Sequence, residues 1–256
     1  MIKNRIGFIA LAKREVLRFF VVFSQTILPP LISSSLFIFV FGFSIGRNLN
    51  ILVEGKSYIQ FMVPGLVMMH LIESSYTNTS SSLFISRWHN HIQEVLLSPL
   101  SYFEMVLALL IGGVTRGILV ASGVYLVSLF FTQFIFYNFW IVLYFFIVVT
   151  IIFSCLGLIV GLWAEGFEKL SVWGTFVLTP LIYFGGVFHS IEMVPAFLRP
   201  FTSLNPIFYL VNGLRYGMLG VSDVNITVSM ILAGTLAVSF FVIVENLFRR
   251  GYKLRS

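Results

Sequence analysis

The sequence predicts an all-α integral membrane protein with six transmembrane helices, and three observations lead there. Of 256 residues, 58% are hydrophobic and only 10% are charged, against roughly a quarter charged in an ordinary soluble domain. The apolar residues gather in uncharged windows long enough for a bilayer crossing, which takes about 20 residues. The basic residues, 16 against 10 acidic, sit largely toward the chain ends, as an orientation signal does. With a mean hydropathy of +0.98, the chain has too little polar side chain to cover a water-facing surface. A soluble enzyme, a secreted domain and a disordered tail are thereby excluded. Backbone amides in hydrocarbon must be satisfied within the segment, so the spans are helices. Runs such as Ile141 to Phe153 are apolar on every face and lack the alternation of a membrane β-barrel.

The elements follow in order. Residues 1–20 read as an interfacial helix, with Ile2, Ile9, Val16 and Phe20 on one stripe and Lys3, Arg14 and Arg18 opposite. The first span is expected at about 22–43, kinked at Pro29-Pro30, where two backbone donors are missing. The second runs over about 58–80 and contains Glu73; the third, about 102–131, contains Arg116. Residues 117–164 are uncharged for 48 positions, too many for one span, so a fourth is placed at about 138–162. The fifth is expected at about 170–188 and the sixth at about 224–246. Between spans two and three, residues 83–98 read as a short amphipathic segment ending at Ser98-Pro99, since the residue before proline leaves helical geometry. Residues 189–220 hold Pro195, Pro200 and Pro206 among Phe, Leu and Tyr. They are too apolar for a solvated loop and too broken for a span, which predicts a re-entrant segment in the outer leaflet. No internal repeat divides the chain, and 1–256 reads as one domain.

With both termini inside, eleven basic residues fall on the inner side and four, Arg47, Lys56, Arg199 and Arg215, on the outer. That asymmetry places both termini in the cytoplasm. Gly157/Gly161 and Gly213/Gly217 are small-xxx-small pairs that allow close helix approach.

No catalytic constellation is visible. Gly55-Lys56-Ser57 ends like a phosphate-binding loop, but Asn50 stands where the first glycine belongs. His70, His89, His91 and His189 lack Cys or acidic partners at metal-ligand spacing, and Cys155 is alone. Glu73, Glu104 and Arg116 are intramembrane charges, which default to a functional or packing role. Three scattered charges make no proton relay, so an active transporter of this kind needs an external energy source. A stand-alone ion-coupled secondary transporter or channel is the competing reading.

Two strings carry a family resemblance. RWHNHIQEVLLSPLSYFE resembles the coupling segment of type-2 ABC transporter permeases, through Glu94, Leu96, Leu97, Pro99 and Leu100. LTPLIYFGGVFHSIEMVPAFLRPFTSLNPIFYLVNGLRYGMLG resembles the family's second signature, through Pro180, Gly185, Gly186, Phe188, Pro195, Leu198, Asn205, Pro206 and Arg215. His89-Asn90-His91 depart from the family's basic-rich stretch and glycine before the acidic residue. The resemblance implies the membrane half of an ATP-driven exporter in a bacterial inner membrane, a homodimer without an ATPase site of its own and with no cofactor bound directly. Two copies of a separate ABC ATP-binding subunit would carry ATP and Mg and dock on Arg87, Trp88, Asn90, Glu94, Leu96, Leu97 and Pro99. Gly185, Gly186, Pro195, Asn205, Pro206 and Arg215 would form the outer gate.

Overall fold

The computed structural model describes residues 4–45, 52–53, 55–133 and 136–254. It is an all-α bundle with a single two-stranded hairpin among the described residues. Helix α1, Arg5–Val21, starts at Asn4, whose side chain accepts from the Gly7 amide. The expected stripe turns outward: Ile9 and Phe20 are exposed, while Leu11, Ala12, Glu15 and Phe19 form the buried face. Ile2 and Lys3 lie outside the described residues. Val16 of the expected stripe is half-buried, and the inner face of α1, which packs on the helix Tyr102–Ser128, is built from Leu11, Ala12 and Phe19 around the buried Glu15.

Helices α2, Phe23–Thr26, and α3, Leu28–Phe37, continue into a π-helical stretch, Ile38–Ile45. The break comes before the prolines, which occupy the first turn of α3. Their missing N–H groups would have no intrahelical partner there. Thr26 spans the earlier break at Val22, between α1 and α2, its hydroxyl donating to the carbonyls of Phe19 and Val22.

Strands β1, Leu52–Val53, and β2, Lys56–Ser57, form a hairpin through Gly55 at φ +75°. Ser57 is also the N-cap of α4, Tyr58–Trp88, in a reciprocal capping box with Gln60. Such a cap contributes about 1 kcal/mol. At 31 residues, α4 is roughly 46 Å long and outruns the expected 58–80. It continues through the first half of the amphipathic segment, and only Ile92–Leu97 forms a separate helix, α5. The turn between them has Asn90 at φ +61°, a backbone state asparagine tolerates better than most residues. Ser98 is extended before Pro99, as expected.

Helix α6, Tyr102–Ser128, starts with a second capping box, Ser101 with Glu104. Helix α7, Phe139–Trp163, starts at Asn138, whose side chain accepts from Trp140 and Ile141 amides. The fifth apolar stretch is broken into α8, Phe167–Val172, a π-helical turn, Trp173–Leu178, and α9, Thr179–Phe184. Pro180 supplies the reason: it offers no donor to the preceding turn and its ring crowds the carbonyl there. The Thr179 hydroxyl donates to the Gly174 carbonyl across the widened turn. A 3-10 turn, Ile191–Met193, and α10, Arg199–Leu204, lead into α11, Pro206–Leu219. The last helix, α12, is Ile226–Arg249.

Among the described residues, four stretches are long and apolar enough to cross a membrane: Phe23–Phe41, Tyr102–Ser128, Phe139–Trp163 and Ile226–Arg249. Helix α4 is more polar but more buried, packing on α6, α7 and α11. Its Ser75 and Thr79 meet glycines of its neighbours so closely that a Cβ on Gly117 would stand 2.1 Å from the Ser75 hydroxyl and one on Gly157 2.2 Å from the Thr79 hydroxyl. Thr79 donates across this seam to the Ser154 carbonyl at 2.8 Å. Such interhelical bonds average about 0.6 kcal/mol in a membrane bundle. Gly213 and Gly217 admit Phe145 and Val142 of α7 in the same way.

Candidate functional site

Three groups of residues hold chemistry beyond packing. The first lies at the end of the bundle away from the termini. Asn205 caps α11 by accepting from the Ile207 amide, Pro206 fills the first helical position, and Gly220 at φ +78° ends the helix. This fixes Arg215 on the inner face, with 1% of its surface exposed. Its guanidinium donates to the Gly186 carbonyl at 2.6 Å, lies 3.7 Å from the Asp223 carboxylate and stacks 3.9 Å from the Phe61 ring of α4. Asn212, one turn earlier, accepts from the Asp223 amide at 3.0 Å and so fixes the loop that carries the acid. Gly186 needs its glycine for φ +78°. The chain after it crosses α4 so closely that a Cβ on Gly65 would lie 2.1 Å from the Val187 carbonyl oxygen. The Tyr58 hydroxyl donates to the Phe188 carbonyl, and Asn205 donates to the Leu181 carbonyl at 2.6 Å. One buried cation thus ties three segments together: α4, the 186–189 turn and the α11–α12 loop.

The second group is a half-open cleft of about 450 Å³ between α4 and the α8–α9 stretch. Glu73, Thr77, Ser80 and Ser81 line one wall; Ser171, Gly174, Thr175 and Thr179 line the other. Glu73 stands 3.6 Å from His70 Nδ1.

The third group lies at the end carrying both termini. Trp88, Asn90, Glu94, Leu97 and Pro99 are exposed, with Leu97 at 86%, while Ile92 and Val95 anchor the segment in a core with Leu83, Leu158 and Phe248. Arg87 turns inward and donates to the carbonyls of Gly161, Leu162 and Ala164, closing the C-terminus of α7. Phe167 packs on Phe84 and Trp88 with ring centroids 4.8 and 5.7 Å apart. Hydrogen bonds from Lys169 and then Lys253 hold the Glu165 carboxyl down at about 2, and Lys253 thereby fastens the C-terminal turn to the α7–α8 loop.

The model of the ABC-2 type transporter family matches residues 7–219, which include the cleft and all of the other two groups except Gly220, Asp223, Phe248 and Lys253. The chain belongs to that family. It is 38% identical over 243 residues to the inner membrane transport permease YadH of Escherichia coli K12, covering 95% of this chain and 94% of the relative. It is also 25% identical over 251 residues to nodulation protein J of Neorhizobium galegae, covering 96% and 94%.

In this ABC-2 protein the structure brings Gly185, Gly186, Asn205, Pro206 and Arg215 together, while Pro195 sits apart in an exposed turn. Leu96 is half-buried beside the exposed Glu94 and Leu97. Glu104 is buried in the first turn of α6, where it accepts from Ser101 and from the Asn4 amide. Glu73 and Arg116 are on different helices and do not pair with each other. Sequence reasoning missed Phe61, Asn212 and Asp223 around Arg215 and Glu165 and Phe167 at the other end. Asp223 left a signal: it is the chain's single aspartate, placed just before an apolar helix.

Proposed function

We propose that the chain is the permease subunit of an ATP-driven exporter in the inner membrane, acting as a homodimer above two copies of a separate ATP-binding subunit that carry ATP and Mg. In this reading the six crossings are α2–α3 with its π-helical continuation, α4, α6, α7, α8–α9 and α12, with both termini cytoplasmic. The basic residues support that orientation. Helix α4 exceeds the roughly 30 Å hydrocarbon layer by more than two turns, so its last turns and α5 project toward the ATP-binding subunit. The cleft between α4 and α8–α9 forms part of the cargo path, because hydroxyls and a carboxylate on an outward face at membrane depth need water, cargo or a second copy opposite them. The 186–205 segment caps the outer end.

The observation that carries this reading is the continuity of α4. One end bears the exposed turn of Trp88, Asn90, Glu94 and Leu97; the middle lines the cleft; the far end holds Phe61 against Arg215. A push at the turn therefore acts on the cleft and the outer cap through one rigid element. The test is co-expression with the adjacent ATP-binding cassette subunit, purification and ATPase assay in liposomes. Co-purification and an ATPase activity lowered at least tenfold by Leu97→Asp are expected. The purified permease concentrating a cargo alone on an ion gradient would overturn the reading.

A further inference from the structure

We propose that Arg18 and Arg116 form a site for one phosphate-bearing anion, supplied by the headgroup of an anionic phospholipid of the cytoplasmic leaflet. The lipid source rests on the membrane orientation given above; the anion site itself does not.

Helices α1 and α6 run side by side in the same direction. The Asn4 amide meets Glu104, and a Cβ on Gly112 would stand 2.8 Å from the Glu15 Cβ. Farther on, a Cβ on Gly123 would stand 2.8 Å from a Leu31 methyl. One turn beyond the Glu15–Gly112 contact stand Arg18 on α1 and Arg116 on α6, and the Asn78 side chain that Arg18 bonds lies against the same glycine, its Nδ2 3.1 Å from where a Gly112 Cβ would be. Glu15 cannot serve both. It is 1% exposed and already accepts from the Ser82 hydroxyl at 2.5 Å and from Arg14 at 3.0 Å, with Arg18 at 3.7 Å. Arg116 has no carboxylate within ion-pair distance among the described residues.

The hydrogen-bond inventory points the same way. Arg18 Nη2 donates to the carbonyl and side-chain oxygens of Asn78 at 2.7 and 3.0 Å. Arg18 Nε, Asn78 Nδ2 and Arg116 Nε are all buried donors without an acceptor. Two donors without an acceptor, a third (Arg18 Nε) held only by the 3.7 Å ion-pair contact to Glu15, and the charge of Arg116 describe a hole for an oxyanion. Water would satisfy donors but leave the charge, whereas a phosphate oxygen accepts from a guanidinium in a charge-assisted bond. The rim favours an amphiphile: Leu17, Phe20 and Val21 are exposed on α1, followed by Leu28 and Ile32 on α3. A headgroup phosphate at the two guanidiniums can lay its acyl chains along that surface. Basic pockets between helices on the cytoplasmic side bind lipid headgroups in this manner.

The experiment uses the full-length permease purified in non-ionic detergent, without the ATP-binding subunit, so that failure of the exporter reading leaves it unaffected. Thermal unfolding is followed with phosphatidylglycerol, with phosphatidylcholine of the same chains and with inorganic phosphate; native mass spectrometry of the wild type looks for a retained anionic lipid. Phosphatidylglycerol should raise Tm by several degrees, phosphatidylcholine should not, and Arg116→Gln should remove most of the shift. Arg250→Gln, an exposed arginine elsewhere, should keep it. An equal, Arg116-dependent shift with inorganic phosphate would support the site while reassigning its source to a free anion. An undiminished lipid shift in Arg116→Gln, an equal loss in Arg250→Gln, or an equal shift with phosphatidylcholine would overturn the proposal. Should Arg116→Gln fail to fold, the absence of a retained anionic lipid on the wild type would overturn it alone.

Discussion

Arg215 and Asp223 face each other as a buried ion pair, guanidinium Nη1 3.7 Å from carboxylate Oδ2, with 1% and 3% of their side chains exposed. Two desolvated charges at that separation do not justify themselves by Coulomb attraction alone. What completes the arrangement is the rest of the guanidinium's surroundings, the Gly186 carbonyl on one side and the Phe61 ring on another. A cation over a ring in a desolvated site contributes about 2 kcal/mol. The pair is therefore read as a fastening of the outer segment.

Asp223→Asn should be strongly destabilising. It leaves Arg215 buried without its counter-charge, a loss of about 3–5 kcal/mol, and Tm in detergent should fall on the order of 10 °C. The double variant Arg215→Met/Asp223→Leu should recover part of this, because apolar replacement of a buried pair is often neutral. Recovery should stay incomplete, since the Gly186 carbonyl then loses its donor at a cost of about 1–3 kcal/mol.

Replacing Gly186 with leucine should block transport more than assembly. Its φ of +78° disfavours a side chain, and a Cβ there would stand 3.1 Å from the Phe208 ring. The strain falls on the outer segment, away from the α4–α6–α7 seam. Gel filtration should report a normal oligomer and complex while export assays report a loss. Unimpaired export would refute a gating role for this turn.

Which of these features could be read beforehand depends on how local their causes are. Helix α7 was legible almost to the residue, because Asn138 caps a uniformly apolar run. The C-terminal half of α4 was not. Ser74 to Ser82 look like the end of a span, but the hydroxyls of Ser75 and Thr79 fit a seam of glycines contributed by α6 and α7. Helix α1 was legible as an amphipathic helix with its faces exchanged, since the partner that buries Glu15 is distant in sequence. Arg215 could be named from its string, whereas Phe61 and Asp223 could not, because only the tertiary fold brings α4 and the last loop to it.

Glu165 predicts a pH-insensitive clasp. Hydrogen bonds from Lys169 and Lys253 hold its carboxyl at about 2, below its ordinary value of 4.5. A depressed acid contributes stability that is fully present above the unfolded pKa and is lost as pH falls from there through the folded one. The C-terminal turn should thus stay docked from pH 8 to pH 5 and release only below about pH 4. Limited proteolysis and acetylation of Lys253 measure this. Glu165→Gln should expose Lys253 to acetylation at neutral pH; protection equal to wild type would remove the clasp from the structure's account.

Glu94→Lys tests the contact with the ATP-binding subunit. Glu94 is exposed in the first turn of α5, where a negative side chain suits the helix N-terminus and is free to meet a basic partner surface. Reversal replaces an attractive contact by a repulsive one, and affinity should fall at least tenfold, about 1.4 kcal/mol. Membrane insertion and Tm of the permease alone should change little, because the side chain makes no hydrogen bond or ion pair among the described residues. Arg87→Ala separates the two roles of this region. It should lower Tm by uncapping the α7 carbonyls, while an intact Glu94 surface still binds once the variant is folded. If Glu94→Lys bound as tightly as wild type while Leu97→Asp did not, the contact would be apolar, centred on Leu97 and Trp88 rather than on charge.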